Sequence, residues 1–120
     1  MNKDQAVSAF WKTFGIDSYD ESNVPTDATY PYLTHEEAVD TLGYPIAQTA
    51  SLYYRSSSWS DVIAKRDEIA EYISKGGRLV KYDNGAFWIR MGRPWAQRMA
   101  DSSDDMVRRM LLNYVIEFIE

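Results

Sequence analysis

The histidine at position 35 is the only one in the chain, and it stands in the run His35-Glu36-Glu37. An imidazole beside carboxylates is raw material for general acid–base chemistry and for zinc ligation. Neither pattern is completed. No second histidine follows four residues on, as a zinc-protease helix requires, and no nucleophile-elbow serine accompanies the ring. The sequence therefore reads His35 as an exposed residue at a strand end. Asp17, Asp20, Glu21 and Asp27 crowd residues 16–29, but the glycine and closing glutamate of an EF-hand loop are missing. These carboxylates read as solvated loop charge, and so do the adjacent pairs Glu36/Glu37 and Asp104/Asp105, since sequence neighbours diverge on a helix or strand. Asp104 and Asp105 precede Arg108 and Arg109, which suits local pairing or a loop anchor. There is no cysteine, which removes disulfides, thiolate metal sites and a thiol nucleophile. Neither GxxxxGK[ST] nor GxGxxG occurs. The expectation is a protein that binds rather than an enzyme, with no catalytic residue, metal or cofactor.

Binding chemistry concentrates in residues 78–94, RLVKYDNGAFWIRMGRP. Asn84-Gly85 is a favoured pair for a two-residue type I′ turn. That turn sets Asp83 opposite Ala86, Tyr82 opposite Phe87, Lys81 opposite Trp88, Val80 opposite Ile89, Leu79 opposite Arg90 and Arg78 opposite Met91. Side chains alternate across a sheet. Val80, Tyr82, Phe87 and Ile89 thus share a core face with Arg78 and Met91 at its end. Leu79, Lys81, Trp88 and Arg90 share the other face, where Lys81 across from Trp88 suits a cation–π pair. This face reads either as a sheet surface that satisfies itself in solvent or as a contact with another protein, since a tryptophan beside an arginine is the usual composition of an interface anchor. The candidate interface is Leu79, Lys81, Trp88 and Arg90, with Arg93 and Trp95 just beyond and Tyr53 and Arg55 on the strand read at Gln48–Ser56.

Charge bears on the partner. The net charge is −5, and residues 1–60 carry all of it, with eight carboxylates against Lys3, Lys12 and Arg55. Residues 75–98 hold Lys75, Arg78, Lys81, Arg90, Arg93 and Arg98 against Asp83 alone. A basic aromatic hairpin is one way to grip nucleic acid, and a small nucleic-acid-binding domain is the alternative reading. An acidic molecule opposes phosphates, however. An acidic front and a basic middle also attract each other between copies.

The elements that must position these residues are legible in outline. The 120 residues suit one domain, 1–120, long enough to bury roughly two-thirds of its unfolded surface. No apolar run approaches the ~20 residues of a membrane span, and the N-terminal stretch lacks a signal-peptide pattern, so a soluble intracellular protein is expected. Residues 2–14 read as a helix capped by Asn2 with Gln5, burying Ala6, Val7, Phe10, Trp11 and Phe14 and stopped at Gly15. Residues 16–29 read as a loop, and Tyr30–His35 as a short strand that Pro31 assigns to an edge or a strand start. Residues 36–46 are ambiguous, with a turn at Gly43-Tyr44-Pro45. Gln48–Ser56 alternates as a strand. A second helix is capped by Ser58, buries Trp59, Val62, Ile63, Ile69, Ala70 and Ile73, and ends at Gly76-Gly77. Residues 93–105 read as a loop. Residues 106–119 fit either period, and their β-branched and aromatic residues favour a strand. The expected fold is α+β, a largely antiparallel sheet packed by two helices.

The order of these features resembles a known family. The runs YDESNVPTDATYPYLTHEEA, GYPIAQTASLYYRSSSW and KGGRLVKYDNGAFWIRMGRPWAQRMADSSDDMVRRMLLNYVIEF are similar, in order and spacing, to tail-terminator (head–tail joining) proteins of long-tailed bacteriophages. The similarity spans nearly the whole chain and rests on architectural motifs. It implies a subunit of a homohexameric ring that caps the tail tube and joins tail to head during virion assembly. It also implies a strand at 106–119 and no catalytic residue. The implied partners are other copies of the chain, the tail tube protein and a head–tail connector or stopper protein. No membrane is involved, and DNA meets the protein only in passing through the ring lumen. The implied location is the head–tail junction of the virion, after assembly in the host cytoplasm. Another head–tail connector ring, such as a stopper, is the alternative in the same setting.

Overall fold

Asn2 starts the first helix as the capping pattern predicts. In the computed structural model, which describes residues 1–37, 43–100 and 104–119, Asn2 Oδ1 accepts from the Gln5 N–H at 2.9 Å and Gln5 Oε1 accepts from the Asn2 N–H at 2.9 Å. This reciprocal cap satisfies two of the orphan amides of α1 (Lys3–Lys12). Its 3.6-residue stripe buries Ala6, Val7, Phe10 and Trp11, and Gly15 takes a positive φ of 78° just past the end.

The strands are β1 (Asp17–Asp20), β2 (Tyr32–His35), β3 (Pro45–Arg55), β4 (Arg78–Tyr82), β5 (Gly85–Met99) and β6 (Val107–Ile119), with α2 (Ser60–Ile73) between β3 and β4. They form one sheet in the order β1-β2-β3-β6-β5-β4. Among the described residues only the β1–β2 pair is parallel. Both helices lie on the same face, where Phe10 of α1 meets Tyr72 of α2 at 5.9 Å and Phe87 of β5 at 6.1 Å. The core between the layers joins Trp11, Ile69 and Ile73 to Leu33, Leu52, Phe87, Ile89, Met110, Leu112, Tyr114, Ile116 and Phe118. The fold is the expected α+β domain. The contested segment at its C-terminal end is a strand in which every second residue from Met110 to Phe118 is buried.

Several local expectations are corrected. Residues 17–20, read as loop, form a strand that pairs in parallel with β2, and Asp20 Oδ1 accepts from the Ser22 N–H at 3.0 Å in the turn that opens the crossover. β2 consequently lies inside the sheet, not at its edge, and Pro31 only precedes its start. Helix α2 begins at Ser60 with Trp59 at the cap position, while Ser58 Oγ accepts from the Ser60 N–H at 3.0 Å. Ser74, at φ 70°, takes the left-handed position that ends this helix, and Gly77 follows at φ 92°. Strand β5 runs through most of the segment read as a loop from 93. Met91 faces Tyr114 and Ala96 faces Leu112, so five steps on β5 match two on β6 and three residues bulge out. The long β6 ladder is the template that recaptures β5 after the bulge. The ambiguous residues 38–42 and the loop residues 101–103 lie outside the described residues.

The β4–β5 hairpin corrects the predicted register by two residues. Tyr82 faces Gly85, Lys81 faces Ala86, Val80 faces Phe87, Leu79 faces Trp88 and Arg78 faces Ile89. The two loop residues are therefore Asp83 and Asn84. Neither has the positive φ that a type I′ turn needs, and neither does Gly85. Gly85 is instead a strand residue without room for a side chain, because a Cβ there would stand 2.6 Å from the Ile119 carbonyl oxygen. The Asp83 N–H also donates to the Met1 carbonyl at 2.9 Å, which fixes the turn against the start of α1. A slip of two conserves the faces, so the face assignments hold while the partners change. Gly85→Ala is expected to cost about 1–3 kcal/mol through this clash, and Asn84→Ala less than ~0.5 kcal/mol, as for an ordinary surface change. Urea midpoints measure both. Equal, large losses at the two positions would restore the type I′ turn.

Candidate functional site

Among the described residues, no helix lies over one face of the sheet. By strand alternation and the observed pairing, this face carries Tyr19, Tyr32, Tyr53 and Arg55 on β1–β3. Arg109, Leu111, Asn113, Val115 and Glu117 of β6, Trp88 and Arg90 of β5, and Leu79 and Lys81 of β4 complete it. Six of the eight predicted interface residues thus share this open face. They do not form one patch. Trp88 pairs with Glu117, which pairs with Pro45, and Pro45 is eight residues along β3 from Tyr53. At ~3.3 Å per residue the two groups stand about 26 Å apart.

The hairpin group is partly packed. Trp88 is half-buried, and its Nε1 would stand 2.7 Å from a Cβ at Gly77, so the indole lies over the left-handed glycine that starts β4. Leu79, directly across, is 43% exposed, a high value for a leucine. Lys81 faces Ala86 rather than Trp88, so the expected cation–π pair is replaced by the Leu79–Trp88 apolar pair. Arg93 is exposed at the bulge. Trp95 packs against the core, where its Nε1 is buried with no partner among the described residues.

Tyr53 belongs to a row that sequence reasoning missed. Tyr32 stacks on Tyr53 at 4.8 Å between ring centroids and 19° between planes. Tyr30 and Tyr19 flank Tyr32 at 5.4 and 6.0 Å. On the other side, the Arg109 guanidinium lies 5.5 Å from the Tyr53 ring and donates to Ser51 Oγ at 3.1 and 3.2 Å. The signal was the set of tyrosines Tyr19, Tyr30, Tyr32 and Tyr53, of which Tyr32 and Tyr53 are cross-strand partners. It became readable only once β2 was known to pair with β3. Arg55 is committed elsewhere: its Nε lies 3.0 Å from Asp104, whose other oxygen accepts from the Met106 N–H at 2.9 Å. This is the loop anchor expected of Asp104.

Between the two groups the open face is concave. A cavity of about 330 Å³ has Ala47, Thr49, Asn113 and Val115 on its floor and Arg93 and Pro94 of the bulge as its wall. Arg90, opposite Val115 in register, borders it. No carboxylate lines it, and none of Lys81, Arg90 and Arg93 is in an ion pair among the described residues.

The acidic side of the molecule is the outer flank of α1. A broad cleft of about 1050 Å³ runs there past Asp4, Ser8, Lys12, Asp20 and Glu37. The Ser22 backbone N–H, with the Ser22 hydroxyl, holds the Asp20 carboxyl below its ordinary range. Burial raises the Glu37 carboxyl. Glu36 is not solvated charge: its Oε1 accepts from the Thr49 N–H at 3.0 Å and so extends the β2–β3 ladder.

His35 is buried rather than exposed, at 2% accessibility, and stacks on Trp11 at 6.1 Å and 15°. Burial pushes its pKa below the ordinary value, against the pull of the Glu36 carbonyl and the Asp20 carboxylate. Its Nδ1 lies 3.5 Å from Glu37 Oε1. Because the folded state resists protonating His35, this residue favours folding above the unfolded value of about 6.5. That contribution is lost as pH falls towards and through the lower folded value. Glu37 acts with the opposite sign: its raised pKa favours folding in acid, an advantage lost as pH rises through the folded value. Urea midpoints at pH 7.5 and pH 5 should fall for the wild type, and the fall should be smaller for His35→Gln, which binds no proton. An unchanged slope would remove His35 as the source.

Among the described residues no three His, Asp or Glu side chains gather to hold a metal, and no helix is long and apolar enough to cross a membrane. Comparison of the chain with protein-family models, curated proteins and solved structures finds no match.

Proposed function

We propose that this chain is a structural subunit that assembles with copies of itself into a ring at the end of a phage tail tube, in the manner of tail terminators. Its action is binding: subunit to subunit, ring to tube, and ring to head connector. The observation that carries this reading is the open sheet face, which among the described residues holds half-buried aromatics, has Lys81 and Arg90 in no ion pair, and has no helix to cover it. Aromatics with arginine and lysine on an uncovered sheet face are the composition of an interface. The sequence resemblance supplies the identity of the assembly, and an α+β subunit with a long last strand suits it. Mass in solution, and electron micrographs of the purified protein mixed with tail tubes, test the reading. Rings and capped tubes are expected. A protein that stays monomeric and leaves tube ends bare defeats it.

A second reading is favoured by the tyrosine row. Tyr19, Tyr32 and Tyr53 beside Arg109 are a stacking platform of the kind that single-stranded nucleic acid uses. The net charge of −5 weighs against it. Titration with single-stranded DNA and RNA across salt concentrations separates the two, since an affinity that falls steeply with salt is required of a nucleic-acid binder.

A further inference from the structure

We propose that the cavity on the open face, rimmed by Arg90 and Arg93, receives the acidic flank of α1 from a second copy of the chain. The inference rests on the reading that the chain assembles with itself, and it specifies which two surfaces meet. The argument is one of complementarity. Among the described residues the cavity is lined by Arg93 and by no carboxylate, Arg90 stands opposite its lining residue Val115, and its floor of small and polar residues lets an incoming chain approach. The α1 flank presents Asp4, Asp20 and Glu37 against Lys12 and the N-terminal ammonium of Met1, which is itself paired with Asp83. The flank lies along the helix layer and the cavity on the opposite face of the sheet, so one copy cannot satisfy itself. The contact between two copies is then heterologous, cavity to flank. Such a contact leaves one free cavity and one free flank at every step, and it propagates until a ring closes or a filament grows. Opposite charges at the rim also steer the encounter and set the register.

Charge reversal on the full chain tests the pairing. Arg90→Glu with Arg93→Glu makes the cavity acidic. Asp4→Lys with Glu37→Lys makes the flank basic, and leaves Asp20 in place because it caps the turn at Ser22. Each double variant alone is expected to lose self-association by roughly a hundredfold or more, as like charges meet. An equimolar mixture is expected to assemble again with the two variants alternating, because each reversed surface then meets its opposite. The variant carrying all four reversals is expected to assemble alone. Far-ultraviolet circular dichroism confirms that each variant is folded, and sedimentation velocity reads the assembly. Wild-type self-association that survives both reversals overturns the proposed interface while the ring reading stands. Loss without recovery in the mixture also overturns the pairing. So does an Arg90/Arg93 reversal that abolishes binding to tail tubes but leaves self-association intact, since the cavity then serves another protein. A wild-type chain that never self-associates and never binds tubes removes the ring reading itself.

Discussion

Trp11→Ala is expected to lower the thermal midpoint by about 9–20 °C. Trp11 is fully buried, and its ring meets Phe10 at 5.0 Å, Tyr114 at 5.1 Å, His35 at 6.1 Å and Phe14 at 6.2 Å. It is the contact through which α1 holds β2 and β6 together. Truncating a buried tryptophan to alanine costs about 3–5 kcal/mol, from lost burial and the cavity left behind. A domain of this size has only about 5–15 kcal/mol in total. At roughly 3–4 °C per kcal/mol for such a chain, the loss comes to about 9–20 °C. The neighbours cannot collapse into the gap cheaply, because Tyr114 is held by its hydroxyl donating to Gln48 Oε1 at 3.0 Å. Trp11→Phe keeps most of the volume and should cost about half as much. Circular dichroism melts of the three proteins decide the matter, and a shift below about 3 °C for Trp11→Ala would show that α1 does not pack as described.

The same residue marks the boundary of what the sequence made legible. Trp11 was placed in the core by the spacing of Ala6, Val7, Phe10 and Phe14, a local pattern that a helix alone enforces. His35, its stacking partner, was read as exposed, because nothing within a few residues of it records that α1 will lie across β2. The difference is one of range: helix stripes and caps are written in neighbours, whereas strand neighbours are written in pairings between distant segments. Residues 17–20 were read as loop for that reason, since their polar composition conceals a parallel pairing with β2. Residues 93–99 were read as loop because Pro94 and the bulge interrupt an alternation that β6 restores. The hairpin was halfway legible. Its faces were correct because a slip of two preserves them, and its turn was misassigned because Gly85 serves a close approach to Ile119 rather than a left-handed turn. Six of the candidate interface residues reached the open face by the same alternation. What alternation leaves unspecified is the position along the strand, and this is why Tyr53 and Arg55 turn out remote from Trp88 and Arg90.

Substituting Trp88 and Arg90 together by alanine separates an interface from a core. Arg90 is half-buried on the open face and in no ion pair among the described residues, so its removal should leave the fold nearly untouched. Trp88 is half-buried over Gly77 and beside Leu79, so its truncation should cost about 1–2 kcal/mol, within the usual range for a partly packed residue. The midpoint of the double variant should therefore fall by only a few degrees. Self-association should fall far more. A tryptophan and an arginine at an interface centre each contribute ~2 kcal/mol or more when truncated, and about 3–4 kcal/mol together corresponds to roughly a hundred- to a thousandfold in affinity. Leu79→Ala provides the internal comparison: it removes exposed apolar area from the same face and should weaken assembly with almost no change in the melt. Melting curves and sedimentation on the same samples give both quantities. If the double variant unfolds, or loses more than ~10 °C while assembling normally, the open face is sealed within the single chain and the interface lies elsewhere. If folding holds and assembly is lost, Trp88 and Arg90 belong to the contact surface, and the half-burial of Trp88 over Gly77 is what presents its ring to a neighbour in a fixed orientation.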